Sequence, residues 1–298
     1  MSKQRTTSKI SNRHTELISL DSYDLSNVHF DAPQEMEIQQ GNKSIKYYKI
    51  NVGNKTKHGV GEFVFNIPYM CHSFGVEEFQ NEQGKVTNHS VSLSMLDMNA
   101  PTEEQTELVK KFGALMDKIK EHLLTVKKEI KKPTLDKNDL KALNPMKQAL
   151  DEDGNPKGNA WYFSPKLMER KMYNKDDPSD VQTKMETQFF LEGQFDKNGN
   201  PLEISPLEFT GKKHFKFRGA IKIDNIYIGS KISIQCKVYD GVVEQVSKER
   251  KRLTQLGPAT GAAVSSASSN GTVQSSSSVM LNYSNDDEED VEILLEDD

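Results

Sequence analysis

Hydrophobic and polar positions first fall into a regular pattern at Lys43–Ile50 (KSIKYYKI) and Gly61–Ile67 (GEFVFNI). Aromatic and β-branched residues alternate roughly with polar ones in both, a period of two that predicts two strands. The polar VGNKTKHGVG between them predicts a hairpin loop. His89–Met95 predicts another strand, with Val91, Leu93 and Met95 on one face and Ser90, Ser92 and Ser94 on the other. After Pro101 the period lengthens. Thr102 is placed to cap a helix, acids follow in its first turn, and Leu108, Phe112, Leu115, Met116, Ile119 and Leu123 recur at helical spacing to about Ile130. A helix this long in a domain of this size is expected to lie across a sheet.

Residues 131–158 are polar and expected to be irregular. Apolar residues return in Asn159–Phe163 and Lys166–Tyr173, Met185–Phe195 predicts a strand, and Phe215–Ile228 predicts one or two. Ile232–Val246 reads as a hairpin, two β-branched runs around Asp240-Gly241. Two segments echo each other, DEDGNP at 151–156 and DKNGNP at 196–201. Their glycines fall at the fourth position rather than the sixth that a calcium loop requires, so both are expected to be plain turns. Roughly seven or eight strands interrupted by one long helix predict a mainly β body, with a decorated OB-type barrel as the leading architecture.

Composition then divides the chain. Gly257–Asn285 contains no charged residue and is rich in Ser, Ala and Gly, the composition of a flexible tether. Asp286–Asp298 holds nine acids and no base, with Ile293, Leu294 and Leu295 set among them. A block of like charge repels itself, and the aliphatic residues suit a short hook for another protein's groove. The expected organisation is a disordered basic arm at 1–20 and a single OB-like domain at 21–256, with a helical insertion near 102–130. A tether at 257–285 and an acidic tail at 286–298 follow.

The formal charge of -5 hides a polarity. All 39 Lys and Arg precede Asp286, against 35 of the 44 Asp and Glu, so residues 1–285 carry +4. Lys43–Val60 has five lysines and no acid, and Ser205–Leu256 has eleven Lys or Arg against five acids. Local clustering decides polyanion binding, so the acidic total leaves nucleic acid open. Cys71 and Cys236 are too few for a cysteine zinc site and are expected to be reduced, buried thiols of an intracellular protein. No apolar stretch is long enough to cross a bilayer, and no signal-peptide core follows the polar start.

No phosphate loop, nucleophile elbow, HExxH or dinucleotide fingerprint is present, so the expectation is a protein that is not an enzyme and needs no cofactor. What the chain does carry is GKKHFKFRGAIKIDNIYIGSKISIQCKVY at 211–239, in which Lys212, Lys213, Lys216, Arg218, Lys222 and Lys231 alternate with aromatic and aliphatic residues. In a strand, Lys216 and Arg218 share one face while Phe215 and Phe217 share the other. The aromatics would then fill the core, and the basic row would be either an ordinary solvated face or one wall of a groove. Tyr47, Tyr48 and Tyr227 are candidates for stacking on bases, with Lys43, Lys46 and Lys49 as phosphate contacts. Joined to the tail, the pattern predicts a binder of single-stranded DNA, with RNA as an alternative ligand. The tethered polyanion would compete for the groove, and its tip (Asp290, Ile293, Leu294, Leu295, Asp297 and Asp298) would recruit replication proteins.

These residues resemble the single-stranded DNA-binding proteins of large DNA viruses and phages. KYYKINV (46–52), KHFKFRGAIKIDNIYIG (213–229) and DDEEDVEILLEDD (286–298) carry the likeness. It implies an OB-type core and cooperative coating of replication, recombination or repair intermediates, at sites of DNA replication, without metal or nucleotide. The chain departs from several such families in ending on Asp297-Asp298 rather than an aromatic residue. Two other classes remain open: an accessory or scaffold protein of replication or transcription acting through protein contacts, and a virion protein that self-assembles without DNA. No membrane association is expected.

Overall fold

The computed structural model describes residues 9–40, 43–81, 84–97, 99–173, 181–211 and 213–245. The chain divides between Lys248 and Glu249 into two units, and every described residue belongs to the first. In chain order the strands before the helix are β1 (Leu17–Ile18), β2 (Val28–Phe30), β3 (Gln34–Gln40), β4 (Lys43–Thr56), β5 (Gly59–Gln80) and β6 (Val86–Ser94). Helix α1 spans Glu103–Thr125. After it come β7 (Met146–Leu150), β8 (Pro156–Phe163), β9 (Lys166–Leu167), β10 (Glu169–Tyr173) and β11 (Val181–Met185). The last are β12 (Gln188–Phe195), β13 (Pro201–Ile204), β14 (Phe215–Ile228) and β15 (Ile232–Gln245).

Thirteen of these strands join one mixed sheet along the path β1-β5-β4-β14-β15-β9-β6-β8-β7, while β10 and β11 pair only with each other. Strands β2 and β3 attach to β4, and β12 pairs with both β13 and β15. The mainly β class with one long helix stands. The OB-type barrel does not: an OB core is a five-stranded barrel, whereas this sheet is not a closed barrel of that kind and includes the parallel pairs β1–β5, β12–β15 and β15–β9. Its longest strand is the physical reason. β5 runs for 22 residues and changes partner along its length, from β4 at Gly59–Glu62 to β14 at Phe63–Ser73 and β6 at His72–Gln80. A bulge between Ser73 and Gly75, with Gly75 at φ 114°, lies along the β6 pairing.

Local chemistry explains the hairpins. Lys57 and His58 close β4 onto β5, with Gly59 at φ 144°. In the two echoed turns, Asp151 Oδ1 accepts from Asp153 N and Asn155 N at 3.1 and 2.8 Å. Asp196 Oδ1 does the same for Asn198 N and Asn200 N at 2.8 and 2.9 Å. Gly154 and Gly199 supply the left-handed residues, φ 79° and 81°. Both segments are turns, closing β7 onto β8 and β12 onto β13.

Three expectations need correction. Asp240-Gly241 makes no hairpin: β15 is continuous through it, and the chain reverses at Gly229–Lys231, where Gly229 N donates to Lys231 O at 3.1 Å. Gly241 stands opposite Gly219 on β14, and a Cβ on it would come within 2.2 Å of the Phe217 ring, so that glycine makes room for an aromatic side chain. The stretch 131–158, expected to be irregular, contains β7 and the start of β8. Residues 9–20, assigned to an arm outside the fold, contribute β1 along β5 and bury Ile18 and Leu20.

Thr102 and Gln105 form a reciprocal capping box at the start of α1, satisfying donors the first turn leaves open. Leu108, Phe112, Leu115, Met116, Ile119 and Leu123 are buried, and Phe112 packs on Phe65 of β5 and Phe163 of β8 at ring separations of 5.6 and 5.7 Å. The helix thus covers one face of the sheet, as its length implied. Under it lies the core, in which Phe63, Phe65, Phe163, Phe215 and Phe217 are fully buried.

Candidate nucleic-acid interface

On β14 the residues that leave the core, Lys216, Arg218, Lys222 and Tyr227, face the side of the sheet away from buried Phe215, Phe217, Ile221, Ile223, Ile226 and Ile228. The predicted segregation of basic and apolar residues along this strand is present. The cations, however, are matched one by one with carboxylates. Lys216 pairs with Glu244 on β15 at 3.1 Å and Arg218 with Glu192 on β12 at 2.9 Å. Lys222, only 16% exposed, lies 2.6 Å from Glu62 and 3.1 Å from Asp224, which also holds Lys237 at 3.0 Å. Burial works against the charge on Asp224, and the two ammonium groups overcome it, holding its carboxyl down to about 2. Burial likewise opposes the charge on Lys222, and Glu62 and Asp224 reverse the effect, raising it above the ordinary lysine value. Lys222 therefore belongs to a structural ion network.

At the upper end of β14 the geometry is different. Tyr227 stands opposite Lys49 on β4, and its ring lies 4.9 Å from that of Tyr47, tilted by 33°. Neither ring packs against the core. The face continues outward on the β3–β4 pair through Met36, opposite Tyr47, and through Ile38 opposite Ile45, which are 39%, 50% and 44% exposed. Tyr48 points the other way, as alternation requires. It packs at the edge of the core, donates to Glu35 Oε2 at 3.1 Å and lies under the Lys131 ammonium, 5.6 Å from the ring centroid. Lys46 meets the same Glu35 at 3.6 Å. Hydrogen bonds from Lys131 and Tyr48 hold Glu35 below the ordinary carboxylate range.

Lys213 donates to the Glu208 carbonyl at 2.9 Å, and Lys231 sits in the β14–β15 turn. Lys43 opens β4, opposite Gln40, and its side chain lies outside the described residues. So do Lys212 and the whole acidic tip, Asp290, Ile293, Leu294, Leu295, Asp297 and Asp298.

At the lower end of β14 the structure assembles a group that sequence alone did not single out. His72 and Phe74 of β5, Tyr162 of β8 and His214, just before β14, form a surface row with ring separations of 5.2 Å (His214–His72), 5.2 Å (His72–Phe74) and 5.8 Å (Phe74–Tyr162). His72 Nε2 and His214 Nδ1 are 3.1 Å apart. The four residues come from segments far apart in the chain, and only strand register unites them.

Cys71 and Cys236 are free and buried, and burial pushes both thiols up. Among the described residues, no group of three or more His, Cys, Asp or Glu could hold a metal ion, and no helix is long and apolar enough to cross a membrane. Residues 33–292 match the model of a family described as a protein of unknown function, DUF2738. No curated protein matches the chain. The resemblance to viral and phage single-strand-binding proteins is corrected by that assignment, as is the viral description that came with it.

Proposed function

We infer that this chain, which belongs to the DUF2738 family, binds single-stranded DNA without sequence preference, on the side of β14 turned away from the core. The observation that carries the reading is the pair of half-buried tyrosines outside the core cluster, Tyr47 and Tyr227, set ring against ring beside Lys49 where β4 pairs with β14. Rings outside a core contribute little to stability. Placed beside an ammonium group they suit a base on the ring and a phosphate on the cation, the pairing that sequence-tolerant single-strand binding uses. The tail, nine acids behind an uncharged tether, would compete with DNA for the same face and recruit replication proteins when released.

Fluorescence anisotropy with labelled oligo-dT across a salt series, on the full chain and on a chain ending at Asn285, tests this. Binding is expected to fall steeply with salt, to exceed that of duplex, and to strengthen without the tail. Tyr47→Ala or Tyr227→Ala is expected to cost about 1–3 kcal/mol of binding. Equal binding of duplex and single strand, or no response to the tyrosines, would overturn the reading.

One observation favours a second reading, an accessory protein acting through protein contacts. Lys216, Arg218 and Lys222 are already neutralised by Glu244, Glu192, Glu62 and Asp224, and the surface beside Tyr47 is the apolar strip Met36, Ile38 and Ile45. Absence of oligonucleotide binding by either chain would select it.

A further inference from the structure

The row His214–His72–Phe74–Tyr162 has an order that exposed aromatic residues scattered over a surface lack. Lys216 of β14 stands opposite His72 of β5, His72 opposite Ser94 of β6, Ser94 opposite Tyr162 of β8, and Tyr162 opposite Lys147 of β7. Directly opposed residues share a face, so one line of side chains crosses five strands, roughly 19 Å at the usual strand spacing. Beside it lie His214, Phe74, Ser92 and Ser164, the two serine hydroxyls 3.4 Å apart. His72 and His214 are exposed, while Phe74 and Tyr162 are half-buried and outside the core cluster.

Charge at the two ends is cationic. Lys147 is exposed and has no ion pair among the described residues, and Lys213 adjoins His214 with only a carbonyl as its partner. Lys216 carries Glu244, the carboxylate at the β15 end of the line. The imidazoles are bonded to each other, and burial, His214 and Lys216 all lower the basicity of His72.

We propose that this transverse row is a second contact for the unpaired bases of a single-stranded polynucleotide, with the rings stacking on bases and Lys147 and Lys213 meeting phosphates at its ends. The proposal rests on the single-strand-binding reading and extends it to a surface at the opposite end of β14 from Tyr47 and Tyr227. A duplex would offer no free base faces to such a row. A metal ion would find only two nitrogens, already engaged with each other. An apolar protein partner would gain little from a strip whose single purely apolar ring is flanked by serines, histidines and lysines. Phosphate arriving beside His72 favours the protonated form of that imidazole, whose basicity is lowered in the free protein.

Photo-cross-linking of the full chain to a short iodouracil-substituted oligonucleotide, with anisotropy on a Phe74→Ala/Tyr162→Ala variant, decides the matter. Expected are cross-links within the peptides holding His72, Phe74, Tyr162 or His214, and an affinity loss of at least about five-fold in the variant. The wild-type chain should also gain affinity as pH falls below about 6.5, the ordinary imidazole value from which His72 is lowered, with its thermal melt matched by the variant's. Cross-links confined to other strands, with unchanged affinity in the variant, would overturn the row and leave the Tyr47–Tyr227 contact standing. No binding of the oligonucleotide by the wild-type chain would overturn both.

Discussion

His122, near the end of α1, stacks on Phe30 of β2 with ring centroids 4.0 Å apart and planes 7° from parallel, and its Nε2 has no hydrogen-bond partner among the described residues. Burial, helped by the charges of His29 and Lys118, lowers its pKa from 6.5 to about 4. The unfolded chain therefore takes up a proton that the folded chain refuses as pH falls through that interval. Stability is fully present above about pH 6.5 and is lost progressively toward about pH 4. In His122→Phe the aromatic stack remains and the titration is gone. Thermal melts between those two pH values should fall for the wild-type chain and be flatter for the variant. Parallel falls in both would assign the acid sensitivity to other groups.

Between elements, glycine positions carry the sharpest packing constraints. Because a Cβ on Gly241 would meet Phe217 at 2.2 Å, Gly241→Ala must displace a fully buried ring between β14 and β15, at a cost of about 1–3 kcal/mol. Urea denaturation should show that loss. A neutral result would mean that Phe217 has room to move. This site also shows what was legible beforehand. α1 was, because its apolar residues repeat at helical spacing and Thr102 marks its start. So were the turns at Asp151 and Asp196, whose chemistry is local. Asp-Gly at 240–241 was misread because a glycine that makes room and a glycine that turns the chain look alike in sequence. At the candidate site the alternation of Lys216 and Arg218 with Phe215 and Phe217 was legible, and the opposite facing of Tyr47 and Tyr48 followed from the strand period. Glu244, Glu192 and Glu62, which meet Lys216, Arg218 and Lys222, were not, because they come from β15, β12 and β5. The His72–Tyr162 row was hidden for the same reason: its members meet only through the pairing of β5, β6 and β8.

In the whole molecule, the exposed cations of β14 are held in ion pairs with other strands, so salt and substitution there should act on binding more than on folding. Lys216→Glu with Arg218→Glu sets like charges beside Glu244 and Glu192 across exposed positions. Exposed pairs are each worth only about 0–1 kcal/mol, so the double variant should fold with a slightly lower melting temperature. Its oligo-dT affinity at low salt should drop by orders of magnitude if this face meets phosphate. Unchanged affinity would place the anion path elsewhere.

The course of β14 has a consequence for how the protein is made. This strand lies between elements from both ends of the domain, pairing Phe63–Ser73 of β5 and Tyr48–Asn51 of β4 on one side and β15 on the other. Phe63 meets Ile223 across some of the longest sequence separations in the fold. A nascent chain emerging from the ribosome holds β4 and β5 long before their central partner exists. Through that interval the two longest early strands keep open edges and uncovered aromatic residues, a state prone to association. Pairings so distant in sequence also make for slow closure once the chain is complete. Early synthesis is thus the stage at which this protein depends most on being shielded from its neighbours.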